Sequence, residues 1–141
     1  MNQHEHRGGC HCGNLRWTLR SELLLAQLPV RTCGCRFCLK HGLLTTSDPQ
    51  GEMDFILTDH TAVLHYRFDT ETADFLMCGR CGVYVGAQME EAGRYYAIAN
   101  LRTLESEGEL GVVQPMDYSR ESVSERRTRR ASRWTPVRTP V

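Results

Sequence analysis

Seven cysteines in three tight groups constrain this chain more than any other feature: Cys10-His11-Cys12, Cys33-Gly34-Cys35-Arg36-Phe37-Cys38 and Cys78-Gly79-Arg80-Cys81. Seven is odd, so complete internal disulfide pairing is excluded. In a reducing compartment, clustered cysteines are more often metal ligands or redox groups than disulfides. In an extended C-x-C the two-residue period of a strand puts both thiols on one face, where they take two corners of a tetrahedron. A C-x-x-C in a tight turn supplies the other two, and Gly79 and Gly82 give that turn its backbone freedom. Zinc is the expected metal, because four thiolates suit a tetrahedral ion that undergoes no redox change.

Other uses of the same residues fit less well. A thioredoxin-like C-x-x-C belongs beside a βαβ unit, and the sequence carries no such pattern. The plant-type and bacterial-type iron–sulfur spacings are also missing. A structural zinc closes with four protein ligands, whereas a catalytic zinc keeps three and an open position, so seven divides naturally as four plus three. Spacing alone does not say which groups combine. The middle group is the only one with three thiols close together, which makes it the candidate for a self-contained open site.

The rest of the chain sets the frame. At 141 residues, one domain is expected. The run Leu23-Leu24-Leu25-Ala26 is broken by Gln27, far short of the roughly 20 apolar residues of a membrane span. The start, Met1-Asn2-Gln3-His4-Glu5-His6, has neither a secretory nor a transit pattern, so a cytoplasmic protein is expected. Leu15, Trp17 and Leu19 alternate with Arg16, Thr18 and Arg20, and Leu64, Tyr66 and Phe68 with His65 and Arg67, as half-buried strands do. Further strands are predicted at 43–46, 53–57, 73–78, 82–87 and 94–99, separated by turn signals such as Asp48-Pro49-Gln50-Gly51. Only 21–28 and the C-terminal tail have helical character.

Net charge zero conceals two unlike segments. Residues 1–117 hold ten Lys and Arg against fifteen Asp and Glu, and 118–141 hold seven Arg against two Glu. Arg126-Arg127-Thr128-Arg129-Arg130 resembles a nucleic-acid patch, but Ser122 and Glu125 have capping-box spacing. Val123, Arg127, Arg130 and Trp134 recur at helical steps. The expectation is a helix docked on an acidic body through Val123 and Trp134, stopped by Pro136 and Pro140.

Gly9-Cys10-His11-Cys12-Gly13 before a strand, the middle Cys33-Gly34-Cys35-Arg36-Phe37-Cys38, and Cys78-Gly79-Arg80-Cys81-Gly82 together resemble the glutathione-dependent formaldehyde-activating enzyme family, which includes centromere protein V. The order, number and spacing of all seven cysteines match across roughly residues 8–104. The resemblance implies a mainly β, zinc-containing β-tent fold of short antiparallel strands. It implies a structural zinc on Cys10, Cys12, Cys78 and Cys81 and a catalytic zinc on Cys33, Cys35 and Cys38, two ions per chain. It also implies carbon–sulfur lyase chemistry joining formaldehyde and glutathione. Where the family often has His, Phe and Thr, this chain has Gly34, Met77 and Val83.

The expected organisation is a flexible N-terminus over 1–7, a zinc domain over 8–117, and an Arg-rich segment over 118–141 that is packed on the domain or flexible. The expected reaction is addition of a small-molecule thiol, such as glutathione, to a small aldehyde. Arg36 or Lys40 is the candidate partner for a substrate carboxylate, and His41 the candidate proton shuttle. Each has a competing reading as a solvated loop residue. His4 and His6 read as terminal, His11 as a turn position, and Tyr95 and Tyr96 as sheet packing. The alternative function is a non-catalytic zinc module that binds protein or nucleic acid, the latter disfavoured by the acidic body.

Overall fold

The computed structural model describes residues 3–141. Its strands are β1 (His4–Gly9), β2 (Leu15–Ser21), β3 (Val30–Cys33), β4 (Thr45–Thr46), β5 (Glu52–Leu57), β6 (Val63–Tyr66), β7 (Asp74–Cys78), β8 (Tyr84–Glu91), β9 (Arg94–Asn100), β10 (Val113–Met116) and β11 (Thr135–Thr139). Two helices, α1 (Arg36–His41) and α2 (Val123–Arg133), complete the fold with short 3-10 turns at Leu25–Gln27 and Leu101–Thr103. The protein is mainly β, and all eleven strands join one sheet.

Along the sheet the order is β1-β2-β5-β11-β9-β4-β3-β10, while β6, β7 and β8 attach as a meander to the other edge of β9. Most pairs are antiparallel. Two are not: β10 runs parallel to β3 and β11 parallel to β5, so the sheet is mixed rather than wholly antiparallel. Both parallel partners return from distant parts of the chain, which a local strand pattern does not reveal.

Alternation along β7 and β9, with a register shift in the β7–β8 ladder at Val85, divides the interior into two cores. Leu76 and Cys78, Val85, and Ala97 and Ala99 face one cluster, with Cys10, Leu15, Trp17, Leu19 and Phe55. Phe75, Tyr84, Ala87 and Ile98 face the other, with Cys38, Leu43 and Trp134. Because successive strand side chains point to opposite faces, Cys78 and Cys38 belong to opposite sides of this part of the sheet.

The terminal segments depart from expectation. Residues 4–7 are not a flexible end but the start of β1, held by a six-residue antiparallel register with β2. His6 is buried, its Nε2 2.8 Å from the Leu23 carbonyl oxygen. The helical character of 21–28 reduces to the single turn Leu25–Gln27. At the other end, α2 begins at the expected capping box, with Ser122 accepting from the Glu125 N–H. Trp134 is buried as expected, but Val123 is 49% exposed, so the first turn is not held by an apolar anchor. Arg126 pairs with Asp69 at 2.6 Å and Arg127 with Glu91 at 2.5 Å instead. Beyond the helix, β11 inserts between β5 and β9, so the end of the 118–141 segment is a strand of the sheet itself.

Candidate metal centres

Two turns assemble the first thiol group. Cys10 and Cys12 lie at the β1–β2 turn, and Cys78 and Cys81 at the β7–β8 turn. All four Sγ atoms fall within 4.8 Å of one another. The Sγ of Cys12 is 3.7 Å from that of Cys10 and 3.6 Å from that of Cys78. A tetrahedron with Zn–S bonds of about 2.3 Å has sulfur–sulfur edges of about 3.8 Å, and a disulfide needs about 2.05 Å. The sulfur spacing therefore fits metal ligation and not a covalent pair.

Backbone N–H groups aim at these sulfurs. Leu15 donates to Cys10 at 3.3 Å, and Arg80 and Cys81 donate to Cys78 at 3.3 and 3.4 Å. Such donors favour thiolate over thiol. The local sequence explains the turn: Gly82 takes a left-handed φ of 80°, and a Cβ on Gly79 would lie 2.8 Å from the Ala62 carbonyl carbon. Cys10 and Cys78 are buried, while Cys12 is exposed.

The second group is more compact in sequence. Cys33 ends β3, Cys35 is the N-cap of α1, and Cys38 lies in its first turn. Their sulfurs also lie within 4.8 Å of one another. The Cys35 N–H donates to the Cys33 sulfur and the Cys38 N–H to the Cys35 sulfur, both at 3.4 Å. The hydrogen bond from Cys38 holds the Cys33 thiol down at about 5. The same bond, with burial, pushes the Cys38 thiol up. Only three sulfurs gather here, so a tetrahedral ion on them keeps a fourth position for another ligand.

A cavity of about 700 Å³ opens over this second group. Cys33, Cys35 and Cys38 line it, together with the apolar side chains of Leu43, Phe75, Ile98 and Trp134. None of the four cysteines of the first group does. The wall also includes Arg31 of β3, Asp69, Asp117 and Tyr118, and Arg126, Arg129 and Arg130 of α2.

These arginines are the residues that sequence reasoning missed. Arg36 and Lys40 are exposed, and neither they nor His41 line the cavity. The His41 ring packs on Phe37 at 4.4 Å and Tyr84 at 5.6 Å between centroids. His4 and His6 lie on β1 and His11 is exposed at the first turn. Tyr95 and Tyr96 lie on β9, and Tyr96 packs against the second core. The Tyr84 hydroxyl is buried without a hydrogen-bond partner. Burial raises its pKa.

Fold and sulfur geometry together define a mainly β protein with a four-cysteine and a three-cysteine group, each able to hold a metal ion. Among solved structures, it is similar to a protein of Rhodobacter sphaeroides, a Northeast Structural Genomics target. The TM-score is 0.59 at 27% identity, over 78% of this chain and 99% of that one. No family model matches the chain. Among the described residues, no helix is long and apolar enough to cross a membrane.

Proposed function

We propose that this chain is a cytoplasmic zinc-dependent enzyme of the carbon–sulfur lyase type, a relative of the glutathione-dependent formaldehyde-activating enzymes. It adds a small thiol reversibly to formaldehyde or another small aldehyde. One observation carries the reading: the three-cysteine group lines the cavity of about 700 Å³, and the four-cysteine group stands outside that cavity.

Zinc on Cys33, Cys35 and Cys38 would supply a coordination position at which an incoming thiol is stabilised as its anion. The chain's own part is to hold the three sulfurs ready. The two backbone N–H bonds fix Cys33 and Cys35 before any ligand arrives, and preorganised donors need no reorganisation during reaction. Leu43, Phe75, Ile98 and Trp134 give the cavity an apolar wall that excludes water around the reacting carbon. In the addition, a sulfur–carbon bond forms, the carbonyl π pair moves to oxygen, and the proton of the thiol ends on that oxygen. The reverse reaction releases both reactants, and neither direction consumes an oxidant or reductant.

The cavity volume also suits this role, lying within the roughly 300–1,000 Å³ typical of small-molecule sites. A nucleic-acid role draws less support. Arg126, Arg127, Arg129 and Arg138 are engaged with Asp69, Glu91, Glu121 and Asp54, and phosphate binding requires free cations.

The test is adduct formation from formaldehyde and glutathione, followed by NMR on zinc-loaded protein, wild type against Cys35→Ser. Loss of catalysed addition and reversal in the variant, with the fold retained, is expected. Equal rates in the two proteins would remove the three-cysteine group from catalysis.

A further inference from the structure

Four guanidinium groups line the cavity, but they are not alike. Arg126 donates to Asp69 at 2.6 Å and to the Tyr118 carbonyl at 3.1 Å. Arg129 makes a two-pronged contact with Glu121 at 2.6 and 3.0 Å and covers the Tyr118 ring. Arg31 and Arg130 have no carboxylate within ion-pair distance among the described residues, although each is only 9% exposed. Arg31 donates to the Ser47 hydroxyl. Arg130 donates from Nη1 to the Thr72 hydroxyl at 2.8 Å, stacks 4.8 Å from the Trp134 ring, and keeps its buried Nε without an acceptor; the Arg126 Nε likewise has no acceptor, but that side chain has Asp69 as a counter-charge.

A buried charge lacking both a counter-charge and a full set of acceptors is costly. Neither carboxylate on the cavity wall, Asp69 or Asp117, pairs with Arg31 or Arg130. Asp69 is taken by Arg126, and Asp117 accepts from the Ser119 N–H at 2.9 Å. The sulfurs of Cys33 and Cys35 accept from the backbone of their own segment, and no guanidinium hydrogen bond reaches the three-cysteine group. Burial and the neighbouring Arg129 and Arg126 lower the Arg130 pKa to about 10, which leaves it charged at neutral pH. The same side of the cavity carries Trp134 and Ile98.

We propose that Arg130, with Arg31, forms a carboxylate-binding subsite in this cavity, and that the substrate of the three-cysteine site is an organic acid with an apolar segment next to its carboxylate. This rests on the cavity being the substrate site of the proposed reaction. A guanidinium fork receives a carboxylate through paired N–H bonds, which a neutral amide of the same shape cannot match. The carboxylate belongs to the thiol or to the aldehyde, and the two sources are separable.

The first measurement is binding of 3-phenylpropionate and of its amide to zinc-loaded full-length protein, read by tryptophan fluorescence. The acid should bind about tenfold or more tightly than the amide, with the preference lost in Arg130→Gln, reduced in Arg31→Gln and partly kept in Arg130→Lys. Equal binding of acid and amide, no binding of either, or an undiminished preference in Arg130→Gln overturns the subsite. Should Arg130→Gln fail to fold, Arg31→Gln decides alone: an undiminished preference there overturns the subsite.

In the reaction, 3-mercaptopropionate is set against 2-mercaptoethanol, and succinic semialdehyde against butyraldehyde. The pair whose preference Arg130→Gln abolishes in KM identifies the reactant that carries the carboxylate, and no such effect in either pair overturns the substrate class. The phenylpropionate probe has neither thiol nor carbonyl. An acid preference without any catalysed addition therefore sinks the reaction and keeps the subsite, and catalysis without acid preference does the reverse.

Discussion

The sulfurs of Cys12 and Cys78 lie 3.6 Å apart although 66 positions separate them in the chain. That contact joins the β1–β2 turn to the β7–β8 turn, two places that no backbone ladder connects directly. A metal held there staples the two turns, and its binding free energy adds to folding free energy. The three-cysteine group spans only the end of β3 and the start of α1. Losing a metal there releases a local segment.

The two groups should therefore differ when disabled one at a time. Cys12→Ser is expected to lower Tm by about 10 °C or more, the equivalent of roughly 3 kcal/mol in a domain of this size. Cys35→Ser should lower it by only a few degrees while abolishing aldehyde-dependent adduct formation. Thermal melts and an activity assay on the same preparations check this; equal Tm losses would contradict the division of roles.

Removal of 118–141 should unfold the protein rather than trim it. β11 occupies the gap between β5 and β9, and the Gln88 side-chain amide donates to the Val141 carbonyl. The 1–117 fragment would expose both strand edges and the cores beneath them. Circular dichroism and a thermal scan should show no cooperative transition. A fragment that melts cooperatively near the full-length Tm would show the segment to be dispensable.

Asp54 gives the fold a pH dependence of definite sign. Burial alone raises its pKa, but hydrogen bonds from Arg20 and Arg138 outweigh it, so the folded value lies below the unfolded one. Stability from this group is fully present above the unfolded carboxylate value of about 3.9 and is lost as pH falls through the lower folded value. Asp54→Asn should cost on the order of 2 kcal/mol at pH 7. The gap between the two proteins should narrow progressively below pH 4, as measured by urea midpoints.

Two glycines in the cysteine groups should respond oppositely to substitution. Gly79→Ala drives a Cβ against the Ala62 backbone and should destabilise by about 1–3 kcal/mol. Gly34 has open space where a Cβ would stand and lines the cavity. Gly34→His, which restores the residue often found there in the family this sequence resembles, should leave Tm within about 2 °C and change KM. A large Tm loss for Gly34→His would show that the cavity wall is closed at that point.

Much of this was legible where a residue's environment is set by its neighbours in sequence. Leu15, Trp17 and Leu19 alternate because β2 buries one face, and Ser122 caps α2 because Glu125 stands three residues on. β1 was not legible: His4-Glu5-His6-Arg7 carries no apolar alternation, and its order comes from pairing with β2 at the sheet edge. The parallel pairs β3–β10 and β5–β11 depend on chain returns over long distances, which leave no local trace. Cysteine spacing marked Cys33, Cys35 and Cys38 as a self-contained group, whereas the union of Cys10 and Cys12 with Cys78 and Cys81 was implied only by the family resemblance. The cavity arginines stayed hidden because Arg126, Arg129 and Arg130 read as one basic run, either a nucleic-acid patch or part of a docked helix. Packing of α2 separates them into partnered cations and one, Arg130, without a carboxylate.

The four-plus-three division of the cysteines is tested most directly by native mass spectrometry of protein reconstituted with zinc. The wild type should carry two zinc ions per chain and all seven cysteines as thiolates or thiols, and Cys35→Ser should carry one. A wild-type mass with a single zinc, unchanged in Cys35→Ser, or with the loss of hydrogens that marks a disulfide, would contradict it.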